Sequence, residues 1–400
     1  MTEAIETRGV VVGGGPAGLM LGLLLARAGV PVVVLEKHID FHRDFRGDTI
    51  HPSTLELMHE LGVLEEFLKL PHQEVHVLSG SLNGHMVPIA DFRRLPTRCK
   101  FVAFMPQWDF LNFLTEHAKR FPHFHLRMQA EVTDLIRTNG RIAGVRAKTP
   151  NGELEVRADL VVGADGRRSI VRERAGLKLQ EFGAPIDVLW MRIGKGSDDP
   201  AQSLGFFDQG KFLVLLDRGD FWQMGMVIPK GAFDGIKARG LQSFHAEVVE
   251  IAPFLKDNVK ELTDWEQVKL LTVQINRLEE WCRDGLLCIG DAAHAMSPAG
   301  GVGINLAIQD AVATANLLGR KLRKGPVSVD DLRQVQRRRE MPPKLIQRMQ
   351  VFVHTRITGQ RNAGKRKMPL VGRILKTFPI LRQIPARLIG LGLRPEHIAK

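Results

Sequence analysis

The N-terminus of the chain carries the feature that most restricts its fold. A β-branched run, Val10–Val12, leads into a motif of the form G-x-G-x-x-G, and an apolar segment continues to about Ala28. A second apolar run, Val32–Leu35, ends at Glu36. In such a motif the first glycine permits a tight turn, the second admits a pyrophosphate and the third allows close packing of helix on strand, while the acid can bind ribose hydroxyls. This order predicts an α/β fold with a dinucleotide-binding parallel sheet, in which the motif glycines are Gly13, Gly15 and Gly18.

Two further segments have a related form, in which an apolar strand ends at Asp and a helix begins soon afterwards. Gly285–Asn305 continues through a Pro-Gly loop (Ser297–Gly303) into a predicted helix, Asn305–Leu318, and Asp159–Arg172 leads into a short helix start. An Asp can accept a hydrogen bond from a hydroxyl, and a helix N-terminus offers free N–H groups and partial positive charge. Both segments therefore suit a polar, often anionic ligand. Their acidic positions are Gly290-Asp291 and Asp165-Gly166.

Taken together, the three motifs and their order resemble the single-component FAD monooxygenases related to p-hydroxybenzoate hydroxylase. The resemblance covers roughly residues 8–355 and includes Arg46-Gly47 ahead of a helix and Gln107 in MPQWDFLNFL. It implies an α/β architecture in which a Rossmann-like FAD-binding domain is interleaved with an antiparallel β-sheet substrate domain. A C-terminal helical extension would follow these two domains.

The resemblance and the local patterns predict a discontinuous division of the chain. The FAD-binding domain is assigned to residues 1–74, 105–180 and 276–354, the substrate domain to 75–104 and 181–275, and a basic amphipathic extension to 355–400. Short alternating stretches in the substrate domain predict antiparallel strands. In the related family such a sheet forms the floor of the substrate cavity, and large side chains here are expected in part to line it. The candidates are Phe207, Trp222 and Met224.

The resemblance implies a reaction in which NADPH or NADH reduces FAD and a flavin C4a-hydroperoxide delivers one oxygen atom of O2 to the substrate. The substrate would be an aromatic, quinone-like or polycyclic small molecule. The chain has no second G-x-G-x-x-G, which agrees with a family in which NAD(P)H docks transiently without its own Rossmann domain. The helix that follows Gly300-Gly301 would direct its positive end at the reduced flavin, and Pro298 would shape the space where oxygen reacts.

Other roles follow from position in the resembling motifs. Asp291 would bind a ribityl hydroxyl, Arg46 and Gln107 the ribityl–phosphate region, the backbone near Val132 the adenine, and Asp165-Gly166 both FAD and NAD(P)H. A helix cap is the alternative for Asp291, and a surface ion pair is the alternative for Arg46. The full set of predicted FAD-binding residues is Gly13, Gly15, Ala17, Gly18, Glu36, Lys37, Arg46, Gln107, Val132, Asp165, Gly166, Gly290, Asp291, Pro298, Gly301, Gly303, Ile304 and Asn305.

The sequence does not identify a catalytic base. It contains no tyrosine, so the tyrosine relay that several phenol-hydroxylating relatives use cannot operate. Histidine has an unperturbed pKa that suits the task, and His51 and His294 adjoin the flavin motifs. We take His51 as the catalytic candidate, beside Pro298, Gly300 and Gly301, although a structural role in bracing the following helix is favoured for His51 and is open for His294.

The positive charge is concentrated at the C-terminus. Residues 320–400 contain 21 Lys/Arg against 4 Asp/Glu, which leaves 35 against 40 in the rest of the chain. Three interpretations are open: packing of an apolar face on the body, contact with an anionic membrane surface and, less favoured, nucleic-acid binding. No nucleic acid is expected as a partner. The apolar stripe consists of Val371, Ile374, Phe378, Leu381, Ile384, Leu388 and Leu391.

Composition predicts a cytoplasmic enzyme with peripheral membrane contact as an open alternative. The N-terminus lacks the pattern of a signal peptide, and the glycines of the uncharged run Gly9–Ala26 favour strand–turn–helix over a membrane span. Three cysteines without metal spacing indicate neither a disulfide framework nor a metal site. Two other functions are weighed against the monooxygenase: a reductase or dehydrogenase of the same fold acting on a prenyl lipid or quinone, and a flavin-binding carrier without turnover.

Overall fold

The computed structural model describes residues 3–42, 49–200, 203–208, 210–298, 300–359 and 368–399. The α-helices, in chain order α1 to α13, are Pro16–Arg27, Pro52–Glu60, Leu64–Phe67, Gln107–Ala118, Ile170–Arg174, Phe233–Ala238, Leu241–Ile251, Asp291–His294, Gly303–Leu322, Val329–Arg339, Met341–Gly359, Leu370–Thr377 and Gln383–Gly390. Short 3-10 helices are Phe92–Arg94, Pro253–Leu255, Asn258–Glu261, Trp265–Gln267 and Pro379–Arg382.

The β-strands belong to two large sheets and two small ones. In chain order, β1 to β20 are Glu3–Val12, Val32–Leu35, Thr49–Ile50, Gln73–Val75, Val77–Leu82, His85–Asp91, Val102–Phe104, Phe124–Arg127, Glu131–Thr138, Arg141–Thr149, Gly152–Gly163, Leu179–Glu181, Ile186–Gly194, Leu204–Asp208, Lys211–Asp217, Phe221–Pro229, Lys269–Leu271, Asn276–Leu278, Cys282–Arg283 and Leu286–Cys288.

The first large sheet is the predicted parallel one. Its five parallel strands lie in the order β20-β11-β1-β2-β8. Three more strands pair antiparallel: β19 with β20, β10 with β11, and β9 with β10. Val12 lies opposite both Leu35 and Gly163, and Gly163 lies opposite Cys288. The carboxyl ends of these strands therefore reach the same edge of the sheet, which is where open α/β sheets bind ligands. The N-terminal strand–turn–helix prediction is confirmed.

The second large sheet is mainly antiparallel and runs β17-β13-β16-β15-β14-β5-β6. Its strands come from the two stretches assigned to the substrate domain. A small sheet, β3-β7-β4, pairs Thr49 and Gln73 with Phe104, so it joins the segment predicted as FAD-binding, residues 1–74, to the segment predicted as substrate-binding, residues 75–104. The division into two domains remains a prediction.

The two faces of this second sheet have different coverings. On one face, side chains of β13, β15 and β16 pack beneath α6 and α7, with Phe244 and Val248 of α7 in the same cluster. On the other face, Val188 and Trp190 pack with Val351 of α11. The faces are distinct because successive side chains along a strand point to opposite sides.

The C-terminal residues return to the body after α11. Helices α12 and α13 pack on β6, and Ala386 of α13 is fully buried. Beyond α13, the Ile398 N–H donates to Glu60 Oε2 at 2.7 Å and the Ala399 N–H donates to Asn316 Oδ1 at 2.9 Å. The prediction that the tail packs on the body is supported for these residues. In the described part of the chain no helix is both long and apolar enough to cross a bilayer.

Candidate active site

The G-x-G-x-x-G turn is crowded at its first and last glycines and open at its middle glycine. A Cβ on Gly13, where φ is +106°, would lie 2.9 Å from the Cα of Asp165, and one on Gly18 would collide with the Gly13 carbonyl. A Cβ on Gly15 would meet no atom within 4 Å. The turn thus needs its outer glycines for protein packing and leaves clear space at the middle one, which fits the close approach of a pyrophosphate.

Glu36 holds this turn from the neighbouring strand. Its carboxylate accepts the Gly14 N–H at 2.9 Å and the His38 N–H at 3.0 Å, and the residue is 8% exposed. Its carbonyl accepts the Ala130 N–H at 2.9 Å, which brings the backbone before Val132 next to the end of β2. Val132 itself is buried in β9, whereas Lys37 is exposed.

Asp165 follows β11 at the same edge. Its Oδ2 accepts the Val171 N–H at 3.2 Å, while Oδ1 is buried with no hydrogen-bond partner among the described residues. Burial raises the pKa of Asp165, and hydrogen bonds from Ser169 and the Val171 N–H oppose that rise. Gly166 has φ +85° and open space where a side chain would point. An unpaired carboxylate oxygen beside open space is suited to a hydroxyl donor.

Asp291 lies in the first turn of the short helix α8 and contacts the preceding motif. Arg167 Nε donates to Asp291 Oδ2 at 3.1 Å and Arg167 Nη2 donates to the Met296 carbonyl at 3.3 Å. Gly290 before it has φ +60°, and a Cβ there would lie 3.4 Å from the Cβ of Ala17 in α1. The structure thereby brings three predicted motifs together. Arg167 lies within the segment Asp159–Arg172, but the sequence pattern assigns it no role of its own.

The loop before α9 holds the remaining predicted flavin contacts. The Gly301 N–H donates to the Pro298 carbonyl at 3.0 Å, and Thr49 Oγ1 donates to the Gly301 carbonyl at 3.0 Å. Gly300 and Gly301 have φ values of +86° and +63°. Helix α9 begins at Gly303 rather than at Asn305, so the N–H groups of its first turn, which have no intrahelical acceptors, include those of Gly303 and Ile304.

Asn305 and His51 tie α9 to the start of α2. Asn305 Oδ1 accepts the His51 N–H at 3.1 Å and the Thr54 hydroxyl at 2.7 Å. The imidazole Nδ1 of His51 lies 2.7 Å from the Ile389 carbonyl, and burial lowers the pKa of His51 to about 4. A carbonyl can only accept, so Nδ1 carries the proton and the ring is neutral near pH 7. These contacts support the bracing role for His51, and its catalytic role remains a prediction.

A buried charge network lies directly behind the Gly290-Asp291 turn. Asp310 of α9 accepts the Gly290 N–H at 3.1 Å and contacts His294 Nε2 at 2.6 Å and Arg339 Nε at 3.1 Å. Burial alone would raise the pKa of Asp310, but His294 and Arg339 outweigh it and hold the pKa below its ordinary value. Arg339 also donates to Glu396 Oε1 at 3.3 Å.

Of this network, the sequence analysis singled out only His294. Its contact with Asp310 supports a structural role for His294. Asp310 and Arg339 are each 0% exposed. The available signal was an aspartate within the apolar helix segment Leu306–Val312, since a charge is rarely buried without a partner. The partner could not be inferred, because Arg339 is one of many basic residues in the C-terminal part.

The register of the second sheet places two of the three substrate candidates on one face and the third on the other. Trp222 and Met224 are 0% exposed and pack in the cluster beneath α6 and α7. Phe207 lies opposite Phe212, on the other face, which packs against α11. Period-two alternation places both side chains on the face toward α6 and α7, so their burial in this closed cluster does not support them as cavity-lining residues. For Phe207 the prediction stands untested.

Two predicted contacts are less constrained by the structure. Arg46, in the Arg46-Gly47 pair, lies outside the described residues. Gln107 is the first residue of α4, shortly after β7, whose Phe104 pairs with Thr49. It therefore lies near the strand that supports the α9 loop.

Comparison with known proteins agrees with this geometry. A family model described as an FAD binding domain matches residues 6–348. The chain is also 33% identical over 394 residues to 6-methylpretetramide 4-monooxygenase of Streptomyces rimosus, with 96% of this chain and 93% of that protein aligned. The chain belongs to the family of FAD-dependent monooxygenases. The predicted resemblance is confirmed.

Two more distant similarities complete the comparison. Dialkyldecalin synthase of Streptomyces rugosporus is 28% identical over 312 residues, which cover 76% of this chain and 63% of that protein. The crystal structure of p-nitrophenol 4-monooxygenase PnpA from Pseudomonas putida DLL-E4 aligns with a TM-score of 0.80 at 22% identity, covering 98% of this chain and 99% of that one. The second similarity shows a shared fold and confirms the predicted fold class. The reductase alternative is not favoured, because the relative aligned over nearly its whole length is a monooxygenase.

Proposed function

We propose that this monooxygenase inserts one atom of O2 into an aromatic, quinone-like or polycyclic substrate and consumes NADPH or NADH. The observation that carries the proposal is the meeting of the Gly15 opening, the Asp291 turn and the α9 N-terminus at one sheet edge, beside a second sheet with an apolar face. The similarity over nearly the whole chain to a protein named 6-methylpretetramide 4-monooxygenase supports a monooxygenase reaction on a small organic molecule.

The residues at this edge divide into two groups by what they would bind. Gly15 and Glu36 would hold the nucleotide half of FAD, and Asp291 and the first turn of α9 would hold the half that carries the flavin. FAD supplies the chemistry of accepting electrons and activating oxygen when it is bound. The partial positive charge of the α9 N-terminus favours an anionic group placed beside it.

The protein also has to keep water away from the reacting centre. Phe207 and Val214 lie on the face of the second sheet that is covered by α11. Gln350 of α11 fastens this covering to the loop, since its Nε2 donates to the Ser297 carbonyl at 3.0 Å and its Oε1 accepts the Ser297 N–H at 3.1 Å. We infer that the substrate lies between this sheet face and the loop at 297–303.

The test is ligand-stimulated oxidation of NADPH and NADH by the FAD-loaded protein, followed together with oxygen uptake and product mass. We expect oxygen consumption in step with nucleotide oxidation and a product that carries one atom from isotopically labelled O2. A product of unchanged mass, formed without oxygen uptake, would instead indicate a reaction that does not insert oxygen. Nucleotide oxidation without oxygen uptake would indicate a reductase.

A further inference from the structure

Exposed apolar side chains are concentrated in one part of the described chain. Of 14 large hydrophobic residues that are exposed there, 11 lie between Met341 and Ile384. Leu370 and Val371 at the start of α12 are 71% and 65% exposed, and Ile384 is 67% exposed. Scattered surface apolar residues are normal, whereas a concentration of this kind marks an interaction surface.

The helices that carry these side chains cover the same face of the second sheet. Val351 of α11 packs with Val188 and Trp190. A Cβ on Gly372 of α12 would lie 3.0 Å from Leu82 and 3.6 Å from Val87. The strand register places all four of these sheet residues on one face. The solvent-facing surfaces of α11 and α12 therefore both lie over this one face of the sheet.

This surface is also strictly basic. Among residues 341–355 and 368–395, whose side chains the structure describes, there are 7 Lys/Arg and no Asp or Glu. Arg348 stands next to exposed Met349 on α11, and Arg373 and Lys376 are exposed among the apolar residues of α12. A partner that covers the apolar side chains must tolerate or supply negative charge at the same place. A second copy of the chain would bring the same positive charge to the contact.

We propose that the outward surface of α11, α12 and α13, called here the basic apolar surface, binds the interface of an anionic lipid bilayer. A helix in the membrane plane buries apolar side chains below the headgroups while its cationic residues pair with anionic lipids. The half-buried and exposed residues of Leu370–Ile384 have this composition. This proposal does not depend on the identity of the substrate.

The test is co-sedimentation of the FAD-loaded full chain with vesicles. We expect binding to vesicles of phosphatidylcholine mixed with phosphatidylglycerol, little binding to phosphatidylcholine alone, and a decrease with added salt. The double variant Leu370→Glu, Val371→Glu should lower the partition coefficient at least about tenfold. The matched control is Ile39→Glu, since Ile39 is 70% exposed and remote in sequence from this surface.

Three outcomes would overturn the proposal. The first is the absence of binding to the anionic vesicles. The second is an equal effect of Ile39→Glu and of the α12 variant, which would show general hydrophobicity rather than a surface. The third is self-association in the absence of lipid, measured by sedimentation and abolished by the α12 variant, which would assign the surface to a second copy. Thermal unfolding of each variant confirms that it is folded.

A separate observation concerns a small cavity between α9 and the C-terminal segment. It leaves about 20 Å³ for the centre of a water-sized sphere and is lined by His51, Gln309 and Arg339. One atom of each residue forms a hydrogen bond to the backbone of residues 389–396. His51 Nδ1 contacts the Ile389 carbonyl, Gln309 Oε1 accepts the Glu396 N–H, and Arg339 Nη1 donates to the Arg394 carbonyl. Each also has a further polar atom, in every case a nitrogen, that is buried and has no partner among the described residues: His51 Nε2, Gln309 Nε2 and Arg339 Nη2.

We infer that this cavity binds one ordered water molecule. Gln309 Nε2 and Arg339 Nη2 are donors, and His51 Nε2 is an acceptor because Nδ1 carries the ring proton. Water is the small ligand that accepts two hydrogen bonds and donates a third, and a cavity of at least about 10–15 Å³ can hold it. An anion would satisfy the donors but would require a proton on His51 Nε2.

A crystal structure that resolves ordered water tests this inference directly, together with the imidazole nitrogen resonances of His51. We expect a water within hydrogen-bond distance of the three nitrogens, and an unprotonated Nε2 at neutral pH. An empty cavity, a bound chloride or a protonated Nε2 would each overturn it. In the variant His51→Phe, which removes the acceptor, the water should be lost or displaced.

Discussion

At the scale of single residues, the glycines of the first turn show how one motif combines two different constraints. Gly18 is required by its own protein, because a side chain there would collide with the Gly13 carbonyl. Gly15 is required by nothing that the described structure contains, since it has φ −78° and open space around it. The absence of a packing reason at Gly15 is what points to a ligand.

We therefore expect Gly15→Ala and Gly18→Ala to separate folding from FAD binding. Gly15→Ala should leave the unfolding free energy of the apoprotein within about 0.5 kcal/mol of wild type and weaken FAD binding at least about tenfold. Gly18→Ala should destabilise the apoprotein by about 1–3 kcal/mol through overpacking. Urea unfolding and FAD titration measure the two effects. Equal destabilisation by both substitutions would contradict this assignment.

His51 should make the stability depend on pH. Its pKa is about 4 in the folded protein and near 6.5 when unfolded, so the unfolded chain takes up the proton first as the pH falls. The unfolding free energy is therefore unaffected by His51 above about pH 6.5, decreases as the pH falls, and reaches its full decrease below about pH 4. Urea unfolding at about pH 7.5 and about pH 4.5 should show a loss of about 2–3 kcal/mol that His51→Gln abolishes. The exposed His85 supplies the control His85→Gln, which should retain the loss.

At the scale of elements, the two faces of the second sheet differ in what covers them: α6 and α7 cover one face, and α11 covers the other, where we infer that the substrate binds. Met224 lies under α7 in a closed apolar cluster, whereas Phe207 is half-buried on the face toward α11. Both residues are large, apolar and within strands, so composition does not distinguish them. Strand register does, since a shift of one residue moves a side chain to the other face.

We expect Met224→Ala to lower the unfolding free energy by about 2–5 kcal/mol, with little change in the KM of the folded enzyme. Phe207→Ala should have a smaller effect on stability and should change KM for the hydrophobic substrate. Urea unfolding and steady-state kinetics on the same preparations measure both quantities. A large KM change with Met224→Ala alone would mean that the faces are assigned the wrong way round.

At the scale of the whole molecule, the hydrogen bonds of Asp310 and Arg339 connect the turn at Gly290 to the C-terminal residues. Asp310 joins the turn at Gly290 to Arg339 of α10, and Arg339 continues to Glu396 near the C-terminus. Such a buried set is costly to break, because removing one charge leaves its partner uncompensated. The C-terminal segment is thereby connected to the turn that would bind the ribityl chain.

The variant Asp310→Asn should destabilise the protein by about 3–5 kcal/mol and increase the rate of FAD loss. The matched control is Asp330→Asn, because Asp330 is exposed and pairs with Arg333 at the surface, and its substitution should change stability by no more than about 0.5 kcal/mol. Thermal unfolding and fluorescence of released FAD provide the readouts. Unchanged FAD retention in a folded Asp310→Asn protein would separate the network from the cofactor site.

The sequence by itself determined the parallel sheet, the order of its motifs and most of the residues at its carboxyl edge. It could do so because these depend on local features: a tight glycine turn, an apolar strand and an acid at a set position. Tertiary structure alone decided that Trp222 and Met224 are buried beneath α6 and α7, that Arg167 pairs with Asp291, and that Asp310 is buried against Arg339. It also split the C-terminal stripe, with Val371, Ile374, Phe378 and Ile384 exposed. These outcomes depend on register and on contacts between residues far apart in the chain, which local patterns do not encode.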